Sequence, residues 1–279
     1  MTDPQGYDAA RWRLFEHDGW QTAARQYHDW LGSVTALAVP SLLDTVGTHQ
    51  DVRLLDVATG PGYVAAAAAE RGANVVGLDF AAAMVAEAAS RFPGVEFREG
   101  EAEALPFPDA SFDAVVCNFG LLPFGRPEQA IAEACRVLHW GGRFAFTIWD
   151  QSSELDPRQM VRRAVQTFGD ADASAGLPAW PAADLFLDPA RCQNAMRAAG
   201  FGPPAMVKLP LVQRTPDPAS YVDLVLSGAG PRNGSVLRAQ SPEALAAIRS
   251  AVEAALRSCE RDGIMELPMP AVLVSAQKP

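Results

Sequence analysis

The stretch Leu54-Leu55-Asp56-Val57-Ala58-Thr59-Gly60-Pro61-Gly62 constrains this chain more than any other. An apolar run ends in an acid, and a loop of small residues follows. Tyr63 to Arg71 is almost all alanine, the strongest helix former. A second apolar run, Asn74 to Leu78, then ends in Asp79. Strand, tight turn, helix, strand and acid in this order make one unit of a doubly wound α/β sheet. Ligands of such sheets bind in the crevice at the C-terminal ends of the strands.

Beyond this unit, apolar runs and helical patterns go on alternating. A helix is expected at Ala81 to Arg91, strands at Val95 to Arg98 and Phe112 to Cys117, and a helix at Glu128 to Leu138. A turn at Gly141-Gly142 and a strand at Arg143 to Trp149 follow. Alternation of this kind implies parallel pairing through right-handed crossovers. Before about Asp51 the aromatic residues Trp12, Phe15, Trp20, Tyr27 and Trp30 recur at loosely helical spacing, and Ser33 is placed to cap a helix through Leu43. Asp150 to Leu187 is punctuated by Pro and Gly and reads as irregular. Pro189 to Ala199 reads as a helix stopped by Gly200, Met206 to Val212 as a strand, and Tyr221 to Asp262 as helical with a break at Gly228 to Gly234. Ala271 to Ala276 is the expected last strand. The segments fall into an N-terminal helical lid (1–50), a ligand-binding core (51–150), and the rest of the sheet (151–279) with insertions at about 151–187 and 221–262.

Composition narrows the partners. The chain of 279 residues carries a formal net charge of -10, which disfavours nucleic acid and anionic lipid. No apolar run reaches the roughly 18 residues of a membrane helix, and Met1 to Arg11 lacks the pattern of a secretory leader. Cys117, Cys135, Cys192 and Cys259 have no paired spacing, as expected of free thiols in a reducing cytoplasm. No metal-ligand spacing stands out, and oligomeric state is not legible.

The chemistry concentrates at the strand ends. Gly60 and Gly62 lack a Cβ and let a ligand approach the backbone N–H groups at a helix start. Gly60-x-Gly62-x-x-Ala65 also fits a dinucleotide fingerprint, with Asp79 near the position of a ribose acid. Asp56 argues against that reading, because a carboxylate at the loop would repel a pyrophosphate and attract an ammonium or sulfonium group. No Lys or Arg follows the loop until Arg71. Glu101 stands after the third strand, where it could accept from an exocyclic amine while the next backbone N–H donates to a ring nitrogen. Three acids on successive strand ends favour a cationic adenosine ligand, of which S-adenosylmethionine is the example. Simpler roles stay open beside these: Asp79 as a helix cap, Glu101 as part of a solvated acidic turn with Glu99 and Glu103, and Tyr27 as packing.

Residues from about Val52 to Trp149 resemble the cofactor-binding core of class I S-adenosylmethionine-dependent methyltransferases. They are most similar to the branch of the ubiquinone and menaquinone biosynthesis enzymes and many natural-product methyltransferases. The motifs are Leu55 to Gly62, Val76-Gly77-Leu78-Asp79, Glu101 to Phe107, Phe112 to Asn118 and Arg136-Val137-Leu138. The resemblance implies a seven-stranded Rossmann-like sheet, mostly parallel with an antiparallel last strand, plus a helical lid. It further implies that backbone at Ala58, Gly60 and Gly62 passes the methionine moiety, whose amino group Asp56 holds directly or through water. Asp79 would take the ribose hydroxyls, Phe80 and Met84 the adenine faces, and Glu101 and Ala102 the adenine edge. Asn118 and Phe119 would lie beside the transferable methyl, and Tyr27 would close over the cofactor. Ala58 departs from the usual first glycine, and His139-Trp140 from the usual Arg-Pro. The implied activity is methyl transfer to a small, apolar or aromatic metabolite, yielding S-adenosylhomocysteine. No catalytic base is chosen. His17 and His28 are placed in the lid. A methyltransferase-like fold with non-methylating chemistry, such as cyclisation, and a nicotinamide oxidoreductase are the alternatives.

Overall fold

The computed structural model describes residues 7–150, 152–174, 176–178, 186–215, 221–223 and 230–279. The core sheet has seven strands: β1 (Arg53–Val57), β2 (Asn74–Asp79), β3 (Glu96–Glu99), β4 (Phe112–Asn118), β5 (Leu138–Trp149), β6 (Ala205–Leu209) and β10 (Ala271–Gln277). Their spatial order is β3-β2-β1-β4-β5-β10-β6. Strands β3, β2, β1, β4 and β5 pair in parallel, and β10 runs antiparallel to both β5 and β6. The order reverses at β1, so the crevice at its C-terminal end is the switch point of the sheet.

Successive residues of a strand face opposite sides, and this alternation builds two core layers. Leu55, Val115, Phe144, Phe146 and Val274 pack on one face against α6 (Pro127–Val137) and α8 (Pro189–Ala198), through Ile131, Ala134 and Met196. Leu54, Ala114, Val116, Ala145 and Leu273 face the other side. There they meet α3 (Val39–Thr45) and α4 (Tyr63–Glu70), through Leu42, Leu43, Val64 and Ala68. The four cysteines are free and buried.

Along the front edge lies α1 (Ala9–Tyr27), capped by Asp8, whose side chain accepts from Arg11 N. Trp20 and Tyr27 of α1 pack with Met84 of α5 (Ala82–Arg91). The Gln21 side chain accepts from Ala83 N at 2.7 Å, which pins α1 to the start of α5. A separate cluster joins α7 (Pro157–Phe168) to the helix Pro242–Arg257 and to β9 (Ile264–Pro268), through Met160, Val161, Ile248, Val252 and Leu267.

Several local expectations need correction. Ser33 does not cap a new helix: the backbone stays αR from Tyr27 onward, passing through a π-turn at His28–Gly32, the short α2 (Ser33–Thr35) and a 3-10 turn at Ala36–Ala38. No turn separates α6 from its strand. Instead β5 begins at Leu138 and absorbs Gly141-Gly142 as an irregularity opposite Phe112 to Ala114, with Gly141 at φ +80. Met206 to Val212 is two strands in two sheets, because Pro210 lacks the N–H that would continue the ladder. β6 stays in the core, and β7 (Val212–Thr215) joins β9 and β8 (Glu260–Arg261) in a small antiparallel sheet that the sequence did not suggest. Of the break expected at Gly228 to Gly234, the part from Pro231 on is a helix, Pro231–Arg238, while residues 228–229 lie outside the described residues. So do parts of the irregular segment expected at 151–187, within which α7 forms an amphipathic helix.

Phe146 is fully buried between Phe144 and Phe186. Phe146→Ala is expected to cost about 3–5 kcal/mol of unfolding free energy, read by urea denaturation. A loss below about 1 kcal/mol would show that this layer of the core refills the cavity.

Candidate functional site

The loop after β1 is held from behind by two carboxylates. Asp56, fully buried, accepts from Thr59 Oγ at 2.6 Å and from Ala65 N at 3.1 Å, both on Oδ2. These bonds tie the loop to the start of α4 and leave Oδ1 buried without a protein partner. Asp79 accepts from Gly60 N at 2.9 Å on Oδ2 and from Ala81 N at 3.0 Å on Oδ1. One carboxylate therefore couples the loop after β1 to the turn that starts α5. Burial raises both acids, Asp56 to about 7 and Asp79 to about 6, against hydrogen bonds that favour the charged form.

Two glycines of the loop serve different ends. Gly60, at φ +52, has open space where a Cβ would stand, so its backbone faces the cavity. Gly62, at φ +88, would drive a Cβ to 2.8 Å from Phe97; its need for glycine comes from packing and backbone. Ala58 adopts φ +55 and Phe119 φ +59 without being glycine. Such residues cost of order 1–3 kcal/mol each and cluster where a site demands them.

A cavity opens in front of this loop. Of the residues singled out from sequence, Tyr27, Ala58, Gly60, Asp79, Phe80, Met84, Asn118 and Phe119 line it. Glu101 and Ala102 line a smaller adjoining recess that shares Ala58, Asp79 and Phe80. Asp56 and Gly62 line neither. Glu101 also has another partner than the adenine amine expected for it: the Arg13 guanidinium of α1 holds both of its oxygens. Asn118 is fixed between Thr147 Oγ, which donates to its Oδ1 at 2.6 Å, and the Thr35 carbonyl, which accepts from its Nδ2 at 3.1 Å. Tyr27 is half-buried, and burial of its hydroxyl pushes it up to about 12.

The rest of the lining was not assigned residue by residue from the sequence. Trp12 and Glu16 join Trp20 on one face of α1, and their spacing of four was the available signal. Burial raises Glu16 to about 8, opposed by the Trp20 indole, which donates to it at 2.9 Å, and by Arg232. Trp149, at the end of β5, stacks on Phe119 with ring centroids 3.7 Å apart. Arg158, Arg162 and Arg232 also face the cavity. The absence of cations near the loop in sequence is therefore not an absence in space: folding brings three arginines from beyond residue 150. Neither His17, beside Asp18 and Phe80, nor His28, bonded to Tyr63, is among the lining residues. Among the described residues no cluster of His, Cys, Asp or Glu could hold a metal, and no helix is long and apolar enough to cross a membrane.

Comparison with known proteins agrees with this geometry. Residues 55–146 match the family described as "Methyltransferase domain". The chain is 43% identical over 102 residues to a demethylmenaquinone methyltransferase of Renibacterium salmoninarum, covering 37% of this chain and 43% of that one. It therefore spans less than half the length of that relative. With the demethylmenaquinone methyltransferase of Deinococcus radiodurans it is 36% identical over 168 residues, covering 55% of this chain and 69% of the other. Among solved structures, the YcgJ protein of Bacillus subtilis superposes with a TM-score of 0.57 at 20% identity, covering 87% of this chain and 98% of that one, and so shares the fold. The chain belongs to the class I S-adenosylmethionine-dependent methyltransferases, in the branch that contains the demethylmenaquinone methyltransferases.

Proposed function

We propose that this protein transfers a methyl group from S-adenosylmethionine to a small metabolite with an aromatic or conjugated body. The observation that supports it most is the cavity in which Asp79, the open Gly60 backbone and the Phe119–Trp149 stack face one space. The chain's own groups fit the cofactor. Asp79 offers acceptor oxygens to vicinal hydroxyls, and Phe80 and Met84 offer apolar surface to a purine. Asp56 acts from behind the loop, where its carboxylate fixes Thr59 and Ala65 N and so the backbone that a ligand would meet. When bound, the cofactor supplies an electrophilic methyl on a sulfonium. The residues position the acceptor and exclude water, effects that account for most of the barrier lowering in an in-line displacement. Glu101 and Ala102 would meet the purine edge after Arg13 yields its ion pair. Residues 1–50 would act as the lid, and the insertions at about 151–187 and 221–262 as the acceptor-side cap.

Asp79→Asn is expected to lower affinity for S-adenosylhomocysteine at least tenfold by calorimetry at a temperature where the free protein stays folded, and also to lower the melting temperature, because the amide keeps one acceptor for two backbone N–H groups. Unchanged affinity would overturn the ribose assignment. Incubation of the parent protein with methyl-labelled cofactor and aromatic acceptors should give a labelled product.

The raised acids set a pH dependence whose sign follows from linkage. In the free protein Asp79 and Asp56 hold protons below about 6 and 7. A ligand that donates to these carboxylates, or carries a positive charge beside them, prefers the ionised forms. Binding should therefore release protons and tighten as pH rises through that window. Calorimetry in buffers of different ionisation enthalpy at pH 6 reads the release directly; proton uptake would contradict the placement of the ligand beside the acids.

A further inference from the structure

Glu101, just beyond the end of β3, is already engaged within the chain. Arg13 of α1 donates from Nε to its Oε2 at 3.0 Å and from Nη2 to its Oε1. The two side chains line one recess together with Ala58, Asp79, Phe80 and Ala102. Ala58, Asp79 and Phe80 line the larger cavity as well, so the recess is its side pocket. A nucleoside whose ribose reaches Asp79 and whose base lies on Phe80 points its base edge at the carboxylate that Arg13 holds.

The pair is suited to exchange. A guanidinium fork covers both oxygens of a carboxylate, which fixes direction more than it adds stability here. The Arg13 and Glu101 side chains keep 36% and 37% of their surface exposed, and water and salt weaken an ion pair so placed. A displaced Arg13 keeps an acid near it, because Glu103 lines the same recess and also attracts the guanidinium. The helix itself is held by other contacts. Gln21 accepts from Ala83 N at 2.7 Å, and Trp20 packs with Met84. Release of Glu101 is therefore a side-chain movement on a helix that stays in place.

Resting on the S-adenosylmethionine reading of the crevice, we propose that Arg13 is a self-inhibitory latch: it occupies Glu101 in the free protein and yields it to the exocyclic amine of adenine when the cofactor enters. Binding then gives up an ion pair and gains an amine hydrogen bond at the same carboxylate. A base without the amine gains nothing at Glu101 and leaves Arg13 where it stands. Because the pair re-forms as the nucleoside leaves, the latch lowers affinity for cofactor and product alike and so favours release of S-adenosylhomocysteine. The helix that carries it also presents Trp12, Glu16 and Trp20 to the larger cavity.

Two ligands and two proteins test the latch. S-adenosylhomocysteine and its analogue with hydrogen in place of the adenine amine are each titrated by calorimetry into the full chain and into Arg13→Gln. The variant should bind S-adenosylhomocysteine about two- to fivefold more tightly than the parent, the range of an exposed ion pair. It should bind the amine-free analogue with the parent's affinity, which also shows that it folds. Tightening confined to the ligand with the amine is a double-mutant cycle across the contact, and a merely structural role of Arg13 would not produce it. Equal tightening of both ligands, unchanged affinity for S-adenosylhomocysteine, or weaker binding by the variant overturns the latch and leaves the cofactor reading in place. Failure of both proteins to bind S-adenosylhomocysteine overturns that reading and the latch with it.

Discussion

The site depends on carboxylates kept out of water. Asp79 bonds Gly60 N and Ala81 N at once, so the loop after β1 and the turn into α5 cannot move independently. Asp56 does the same between Thr59 and Ala65 behind the loop. Burial is costly for a charged carboxylate, and both acids are accordingly raised toward neutrality. The fold keeps them because two backbone segments at a switch point need acceptors that no main-chain ladder can supply. A binding crevice results: the groups that hold the loop together are those that a ligand with donors or positive charge can share.

The cofactor half of the site was legible in sequence because it is local. Strand, small-residue loop and helix lie within one short stretch, and apolar alternation with terminal acids marks each strand end. The two sheet faces followed from period-two burial, as Leu54 and Leu55 show by entering opposite layers. The antiparallel edge came from family resemblance rather than from pattern, since nothing in Ala271 to Gln277 encodes its direction.

What escaped the sequence is non-local. Arg158, Arg162 and Arg232 lie far from the glycine loop along the chain, and only the packing of α7 and of the helix Pro231–Arg238 turns them toward it. Glu16 looks like a surface residue of an amphipathic helix until α1 packs against α5 and the helix Pro231–Arg238. The small sheet of β7, β9 and β8 was hidden because Pro210 interrupts an otherwise continuous apolar run, and a strand switching sheets leaves no periodic mark. Glu101 was read as a free strand-end acid because Arg13, its partner, lies on a helix far earlier in the chain.

This division has a physical consequence for how the fold can vary. The crevice around Asp56, Gly60 and Asp79 is built from the ends of the central parallel strands themselves, so changes there strike both stability and binding. The arginine end is carried by α7 and the helix Pro231–Arg238, which pack in a cluster of their own with Ile248, Val252 and Leu267. Substitution of a cavity-facing arginine leaves that cluster intact, because the faces that pack and the faces that line the cavity are different sides of the same helices. Fold does not dictate chemistry; here the acceptor end can change its charge and shape while the sheet and its loop stay as they are. The exception is Arg158, which has a buried carboxylate as its counter-ion. Removing its charge would leave Asp156 uncompensated, a penalty of about 3–5 kcal/mol for a buried pair broken on one side. That coupling makes Arg158 a structural anchor among the cavity-facing arginines.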